Sequence, residues 1–209
     1  MDKASLNALV VSITGRSDKT ALINIALDLA LKAIGRRHDF QFFFEETELS
    51  VTGSSVTKPT GYKRFIEARI GEDTQAYSIA LRPKAFVVSR YPSIPTGNPV
   101  YMYETSTTFV LAPEPTDETV MTLTYVKEPS FSTTGSLDEM LAEYACAFIF
   151  KSIQMPDVAM YWTQEFERHL REAILDDKRT NVLYIHEGFA ISENIAGAAA
   201  YLDPFQRHD

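Results

Sequence analysis

The chain has 209 residues, 45% of them hydrophobic and 11% aromatic, which is enough apolar material for a packed core and is not the composition of a disordered chain. Its formal net charge of −8 argues against a broad, sequence-independent grip on nucleic acid, which needs a basic surface to neutralise phosphates. The single cysteine, Cys146, rules out an internal disulfide and a cysteine-built zinc site.

In chain order, "ASLNALVVSIT" (4–14) is a short apolar helix broken by "GRSDK". It lacks a small-residue cleavage site, and no segment approaches the ~18–20 apolar residues of a membrane span. A soluble protein made in a reducing compartment is therefore expected. From Thr20 the spacing is helical, with a predicted apolar stripe of Leu22, Ile25, Ala26, Leu29, Ala33 and Ile34. Gly35 weakens this helix and a basic last turn complements its dipole. After Asp39 the period changes. "FQFFFEETELSVTG" becomes alternating, with Thr47, Leu49 and Val51 on one side and Glu46, Glu48 and Ser50 on the other, as in a half-buried strand. "RFIEARIGEDTQAYSIAL" reads as a hairpin around a Gly-Glu-Asp turn, and Pro83 opens a short helix. "VYMYET" and "TTFVLAP" read as two strands around Glu104–Ser106, and "ETVMTLTYVKEP" as a third in succession.

Ser136 and Glu139 form a capping box for the helix "LDEMLAEYACAFIFKSIQ", which is apolar around much of its circumference and so expected to be central. Cys146 within it reads as a buried small hydrophobe. After "MPD", with Asp157 as a cap, Trp162, Phe166, Leu170 and Ile174 recur every four residues as a core stripe. The pattern stops after Arg179. The expected fold class is α+β: a bundle of about four helices with an inserted antiparallel β meander or sandwich and an extended C-terminal arm. The expected segments are 1–39 for the N-terminal helices, 40–132 for the inserted β domain, 133–179 for the C-terminal helices and 180–209 for the arm.

The search for catalytic chemistry returns little. The four histidines have no metal-binding spacing between them, and His169 in "EFERHLRE" reads as solvent-exposed. There is no G-x-S-x-G elbow, and "GRSDKT" lacks the pattern of a phosphate loop. No catalytic residue, metal site or cofactor is expected. Glu45, Glu46 and Glu48 in "FFFEETELS" and Glu165, Glu167 and Glu172 of the last helix leave open a cell-wall hydrolase using Glu45 or Glu46, since two carboxylates across a cleft can hydrolyse a glycosidic bond. Arg36 and Arg37 beside Phe40, Phe42, Phe43 and Phe44 leave a nucleic-acid-binding module open, although a core reading of the phenylalanines is the simpler one.

The stretch 180–209 is too apolar for a disordered tail and too irregular for a core helix. It either wraps back on its own domain or docks on a neighbour as an arm. Fully extended it spans up to ~100 Å. Its candidate docking residues are Tyr184, Ile185, Phe189, Ile191, Ile195, Tyr201, Leu202 and Phe205.

Taken in order, "AIGRRHDFQFF", "TELSVT", "GNPVYMYETSTTFVLAPEP", "MTLTYVKEP", "LDEMLAEYACAFIFKSI" and "AMYWTQEFERHLREAILDDKR" give the chain a resemblance. Over residues 5–178 it resembles the head-to-tail adaptor proteins of tailed bacteriophages, the tail tubular protein A type. The loop "TGSSVTKPTGYKRF" departs from that pattern by lacking its Leu-Pro-x-Asp-Phe wording. The resemblance implies a structural virion protein of the head–tail neck, assembled in the host cytoplasm. It implies a homo-oligomeric ring, typically of twelve copies. That ring would dock under the portal protein and receive a tail tube or nozzle. Viral DNA would pass through its lumen without sequence-specific contacts, and no membrane is involved.

Overall fold

A computed structural model describes residues 1–71, 76–131 and 137–190, with the backbone alone for 180–190. The chain divides into two compact units: one of Met1–Lys3 and Leu31–Leu137, the other of Ala4–Ala30 and the chain from Asp138 on.

The second unit is helical. It holds α1 (Lys3–Thr14, from Ala4), the first part of α2 (Thr20–Arg37), α4 (Asp138–Ser152) and α5 (Pro156–Ala190). Gly15, with φ +67°, stops α1 by taking the left-handed conformation that only glycine adopts without strain. α1 buries Leu6, Asn7 and Val10. The Asn7 amide donates to the Thr20 carbonyl (3.1 Å) and to Asn24 Oδ1 (2.9 Å), so a buried polar side chain ties α1 to the start of α2. The predicted stripe of α2 is one residue out of phase. Ile23, Ala26, Leu27 and Ala30 are buried, whereas Ile25 and Leu29 are exposed. The sequence "LINIALDLALKAI" is apolar on more than one face, so periodicity alone does not fix which face turns inward.

α4 is central, as its composition implies: Met140, Leu141, Ala142, Ala145, Cys146, Ile149 and Phe150 are all buried. It pairs with α5 across a short link. Phe166 and Leu170 are buried with Trp162 and Ile174 half-buried beside them, and the Tyr144 and Phe166 rings meet edge to face at 5.2 Å. Pro156, rather than Asp157, opens α5, where a missing N–H costs nothing; Asp157 stands in the first turn. Ser136, the expected cap of α4, lies outside the described residues. α5 continues as helix to Ala190, eleven residues beyond the point where the sequence period ends.

The first unit carries the strands. They are β1 (Phe44–Val51), β2 (Ser55–Thr57), β3 (Tyr62–Ile70), β4 (Tyr77–Ser78), β5 (Ala80–Leu81), β6 (Tyr101–Glu104), β7 (Thr108–Ala112) and β8 (Thr119–Lys127), with α3 (Lys84–Arg90) between β5 and β6. They form two four-stranded sheets, ordered β1-β8-β3-β4 and β2-β7-β6-β5. The strands read as a simple succession, 101–127, are in fact split: β6 and β7 form a hairpin in one sheet, and β8 crosses to the other to lie between β1 and β3. One pairing, β5 with β6, is parallel.

The alternation predicted for β1 is observed, with Thr47 and Leu49 opposite Leu123 and Met121 of β8 and Glu46 and Glu48 opposite Thr124 and Thr122. The inner faces of both sheets share one core of Val51, Val56, Met102, Phe109, Leu111, Met121, Leu123 and Tyr125, among others. The β6–β7 turn is pinned by Lys58, whose ammonium reaches Glu104 Oε1 and the Thr105 carbonyl, both at 2.6 Å. Of the aromatic run, Phe40 and Phe43 are buried. Phe42 and Phe44 are exposed, because Phe44 falls on the same outward phase as Glu46 and Glu48.

Gly35 does not end α2, which runs to Arg37. It is buried, and a Cβ there would lie 2.5 Å from the Pro129 ring. Close approach of a proline, not backbone freedom, requires glycine. Gly35→Ala gains about 1 kcal/mol in helix propensity and loses about 1–3 kcal/mol to overpacking. Chemical denaturation should therefore show a less stable protein; a gain in stability would contradict the packing assigned to Pro129.

Candidate interaction surfaces

Five surface features could carry function, and each follows from a local pattern. On α3 and the segment after it, Phe86, Val88, Ile94 and Val100 are exposed. α3 has only seven residues, and Val87 alone among them is buried, so its remaining apolar side chains face outward. The Phe86 ring meets Tyr101 of β6 edge to face at 5.4 Å, and Lys84 lies over the Tyr103 ring at 5.8 Å. This confines the outer face of the β6–β7 hairpin to packing: Tyr101 and Tyr103 are half-buried there, while Met102, Phe109 and Leu111 fill the core.

In the helical unit, Met155, Met160, Tyr161 and Leu175 are exposed on and just before α5. They sit off the Trp162–Phe166–Leu170 stripe, so the helix has apolar side chains on both sides. Isolated exposed apolar residues are ordinary; Met160 and Tyr161 are adjacent, while Met155 and Leu175 stand apart from them.

The carboxylates of β1 do not form a pair. Glu46 and Glu48 project from the open face of the sheet into a groove of about 450 Å³ lined also by Arg69, Val120, Thr122 and Thr124. Glu45 lies on the opposite side of the strand, since side chains alternate, and holds Lys127 at 2.6 Å. The guanidinium of Arg69 also bonds Glu67 at 2.8 Å and holds that carboxyl below its ordinary value. This is a solvated ion-paired sheet face. It sets no carboxylate in a dry pocket where one could stay protonated as a general acid.

The basic cluster of Arg36, Arg37, His38, Lys63 and Arg64 closes around Asp39. Lys63 bonds Asp39 at 2.5 Å and the Gly35 carbonyl, and Arg64 bonds Asp39 at 2.8 Å. Cations at the C-terminal end of α2 answer its exposed carbonyls and dipole, which gives the cluster a structural role.

A fifth group was not visible in the sequence. Glu143 of α4 is buried and His169 of α5 is half-buried, their Oε1 and Nδ1 atoms 2.7 Å apart. His169 is thus a helix–helix contact rather than the solvent-exposed side chain its charged surroundings imply. Burial pushes the Glu143 carboxyl above its ordinary value, and the His169 bond opposes that shift. The available signal was a lone acid among Met140, Leu141, Ala145 and Cys146, and a histidine between Phe166 and Leu170 at the edge of a core stripe.

Of the candidate arm residues, Tyr184, Ile185 and Phe189 fall on the backbone of α5, while Ile191, Ile195, Tyr201, Leu202 and Phe205 lie outside the described residues. The helical backbone through Ala190 corrects the expected start of an extended arm at residue 180.

The model of the SU10 adaptor protein family matches residues 1–185. The chain belongs to that family. The match spans both units and all the elements from α1 to α5, and it agrees with the head-to-tail adaptor resemblance read from residues 5–178. Among solved structures, a chain in the "Neck of empty GTA particle computed with C6 symmetry" is similar at 14% identity, with 79% of this adaptor and 88% of that chain covered and a TM-score of 0.28. No curated protein matches. Among the described residues of the adaptor, no helix is long and apolar enough to cross a membrane.

Cys146, as expected, is a buried small side chain. Burial, and secondarily the neighbouring Glu143 charge, push its thiol up to about 12. At pH 8 the folded protein should label with a thiol reagent about a thousandfold more slowly than the denatured chain, because the thiolate is the reactive species. Labelling of the native protein at the denatured rate would contradict the burial of α4.

Proposed function

We propose that this adaptor is a structural virion protein of a head–tail neck, forming a ring, typically of twelve copies, that docks under the portal and joins it to the tail. The match of residues 1–185 to the SU10 adaptor family carries this reading. Two physical features support it. The chain leaves apolar side chains exposed on α3 and on α5, in each unit separately, as a protein needs if it is to meet more than one partner. A ring of identical copies requires two different complementary faces on each protomer.

The lumen of such a ring would pass viral DNA without sequence-specific contacts, and the net charge of −8 suits a channel that must not hold it. The basic cluster near Asp39 is answered by its own carboxylate and the end of α2, which leaves it poorly placed as a DNA grip. For the hydrolase alternative, Glu45 is ion-paired with Lys127 and Glu46 stands on an open sheet face, so neither has the dry surroundings that suit a general acid. Tail tube or nozzle proteins would take the face turned from the portal. Assembly in the host cytoplasm before incorporation into the virion follows from the same reading.

The portal-binding arm would comprise Tyr184, Ile185, Phe189, Ile191, Ile195, Tyr201, Leu202 and Phe205. The first three would project from the end of α5, so that part of the arm would present a helical face instead of an added strand. Two truncations test this, one lacking 191–209 and one lacking 180–209, each assayed for co-sedimentation with purified portal rings. Weaker docking for the first and loss of docking for the second are expected, with the thermal unfolding of the remaining domain retained. Docking of both at full-length affinity would refute the arm.

For the DNA channel, a salt titration should show no appreciable duplex binding at about 150 mM salt. Tight binding with a steep salt dependence would favour a nucleic-acid-binding module instead.

A further inference from the structure

We propose that Glu139, Glu143 and His169 form a site for a divalent transition-metal cation of the zinc type, which would tie α4 to α5. This goes beyond the adaptor reading and does not depend on it. Glu139 and Glu143 are four residues apart on α4, so both carboxylates fall on one face, one turn from each other. His169 on α5 faces them. One ligand atom from each of the three residues lies within 4.8 Å of the others. Small side-chain rotations bring three such atoms to the spacing that zinc bonds of about 2.0–2.2 Å require. A set of two carboxylates and one imidazole, with a water to complete four ligands, suits zinc and its neighbours. Calcium and magnesium favour oxygen donors throughout.

A second observation points to a ligand independently of the cluster. Glu143 is only 4% exposed, and its Oε2 is buried with no hydrogen-bond partner among the described residues. Buried carboxylate oxygens are normally satisfied, and an orphaned one beside a histidine and a second acid is what a coordinating oxygen looks like without its cation. Glu139 is exposed, so the site has a path to solvent. Cys146, three residues beyond Glu143, is not part of the set, because its sulfur does not fall within the cluster of ligand atoms.

Arg168 sets the condition for binding. Its guanidinium nitrogen is 2.7 Å from His169 Nε2 and also bonds Glu165 at 2.5 Å. A guanidinium only donates, so Nε2 accepts and Nδ1 carries the proton that it donates to Glu143 Oε1. When a cation binds, Nδ1 turns its lone pair to the metal and the imidazole proton moves to Nε2. Arg168 must then release Nε2 and keep its contacts to Glu165 and Glu172. The Nε2 proton needs an acceptor, and Glu165, already beside His169, supplies the carboxylate that commonly orients a metal-bound histidine.

The test is titration of the full-length, chelator-treated protein with Co²⁺, read by visible absorption, and then with Zn²⁺, read by displacement of Co²⁺ and by thermal unfolding. One equivalent of Co²⁺ with ligand-field bands is expected, displaced by Zn²⁺, with the melting temperature raised at saturating zinc. Glu139→Gln, at an exposed position that should leave the fold intact by circular dichroism, and His169→Ala should each weaken affinity by at least about tenfold. Absence of Co²⁺ bands in the wild type, or wild-type affinity retained in both folded variants, would overturn the site.

Discussion

The β unit depends on one strand. β8 is paired along its length on both sides, to β1 and to β3, and its inward side chains Met121, Leu123 and Tyr125 are all but fully buried. The second sheet meets the same core through Met102, Phe109 and Leu111. A strand hydrogen-bonded on both edges and packed on its inner face cannot shift register without moving apolar side chains to the wrong side. That constraint holds β1 in place, and so fixes which of its glutamates face solvent and which faces Lys127. It also explains why β7 and β8, adjacent in sequence, belong to different sheets: each must bring its own apolar face to a shared interior.

The helical unit rests on a different arrangement. α4 is buried on most of its circumference, so a polar residue within it must be answered from a neighbour. Glu143 finds His169 on α5 for one oxygen, and its second oxygen remains unanswered among the described residues. This places the most unusual polar contact of the unit at the joint between its two C-terminal helices. Exposed apolar residues of α5 lie elsewhere on the same helix, so one element serves both the interior and an outer surface.

Much of the architecture was legible because its signals are local. The alternation of β1, the four-residue stripe of α5 and the two strands around Glu104–Ser106 appear where their patterns place them, the turn lying one residue later. The failures have a common cause in non-local packing. The face of α2 was misassigned because several faces are apolar and only the partners choose among them. Gly35 reads as a weak point near the end of α2, whereas its close approach to Pro129, 94 residues away, is what requires glycine. The strands of 101–127 read as a meander or small sandwich; the two sheets bear out the sandwich, but the partners of β8 leave no mark in the sequence of a single strand. The Glu143–His169 contact was hidden for the same reason, each residue being ordinary alone. Alternation alone places Glu45 and Glu46 on opposite faces of β1; only the fold supplies Lys127 as the partner of Glu45.

In the proposed neck, this SU10-family chain occupies the junction between portal and tail. Electron cryomicroscopy of the particle that carries it tests this most directly. A closed ring of this chain is expected between the portal and the first tail component, with both units ordered in every copy. Particles whose neck contains no density for the chain, or that place it elsewhere in the virion, would contradict it.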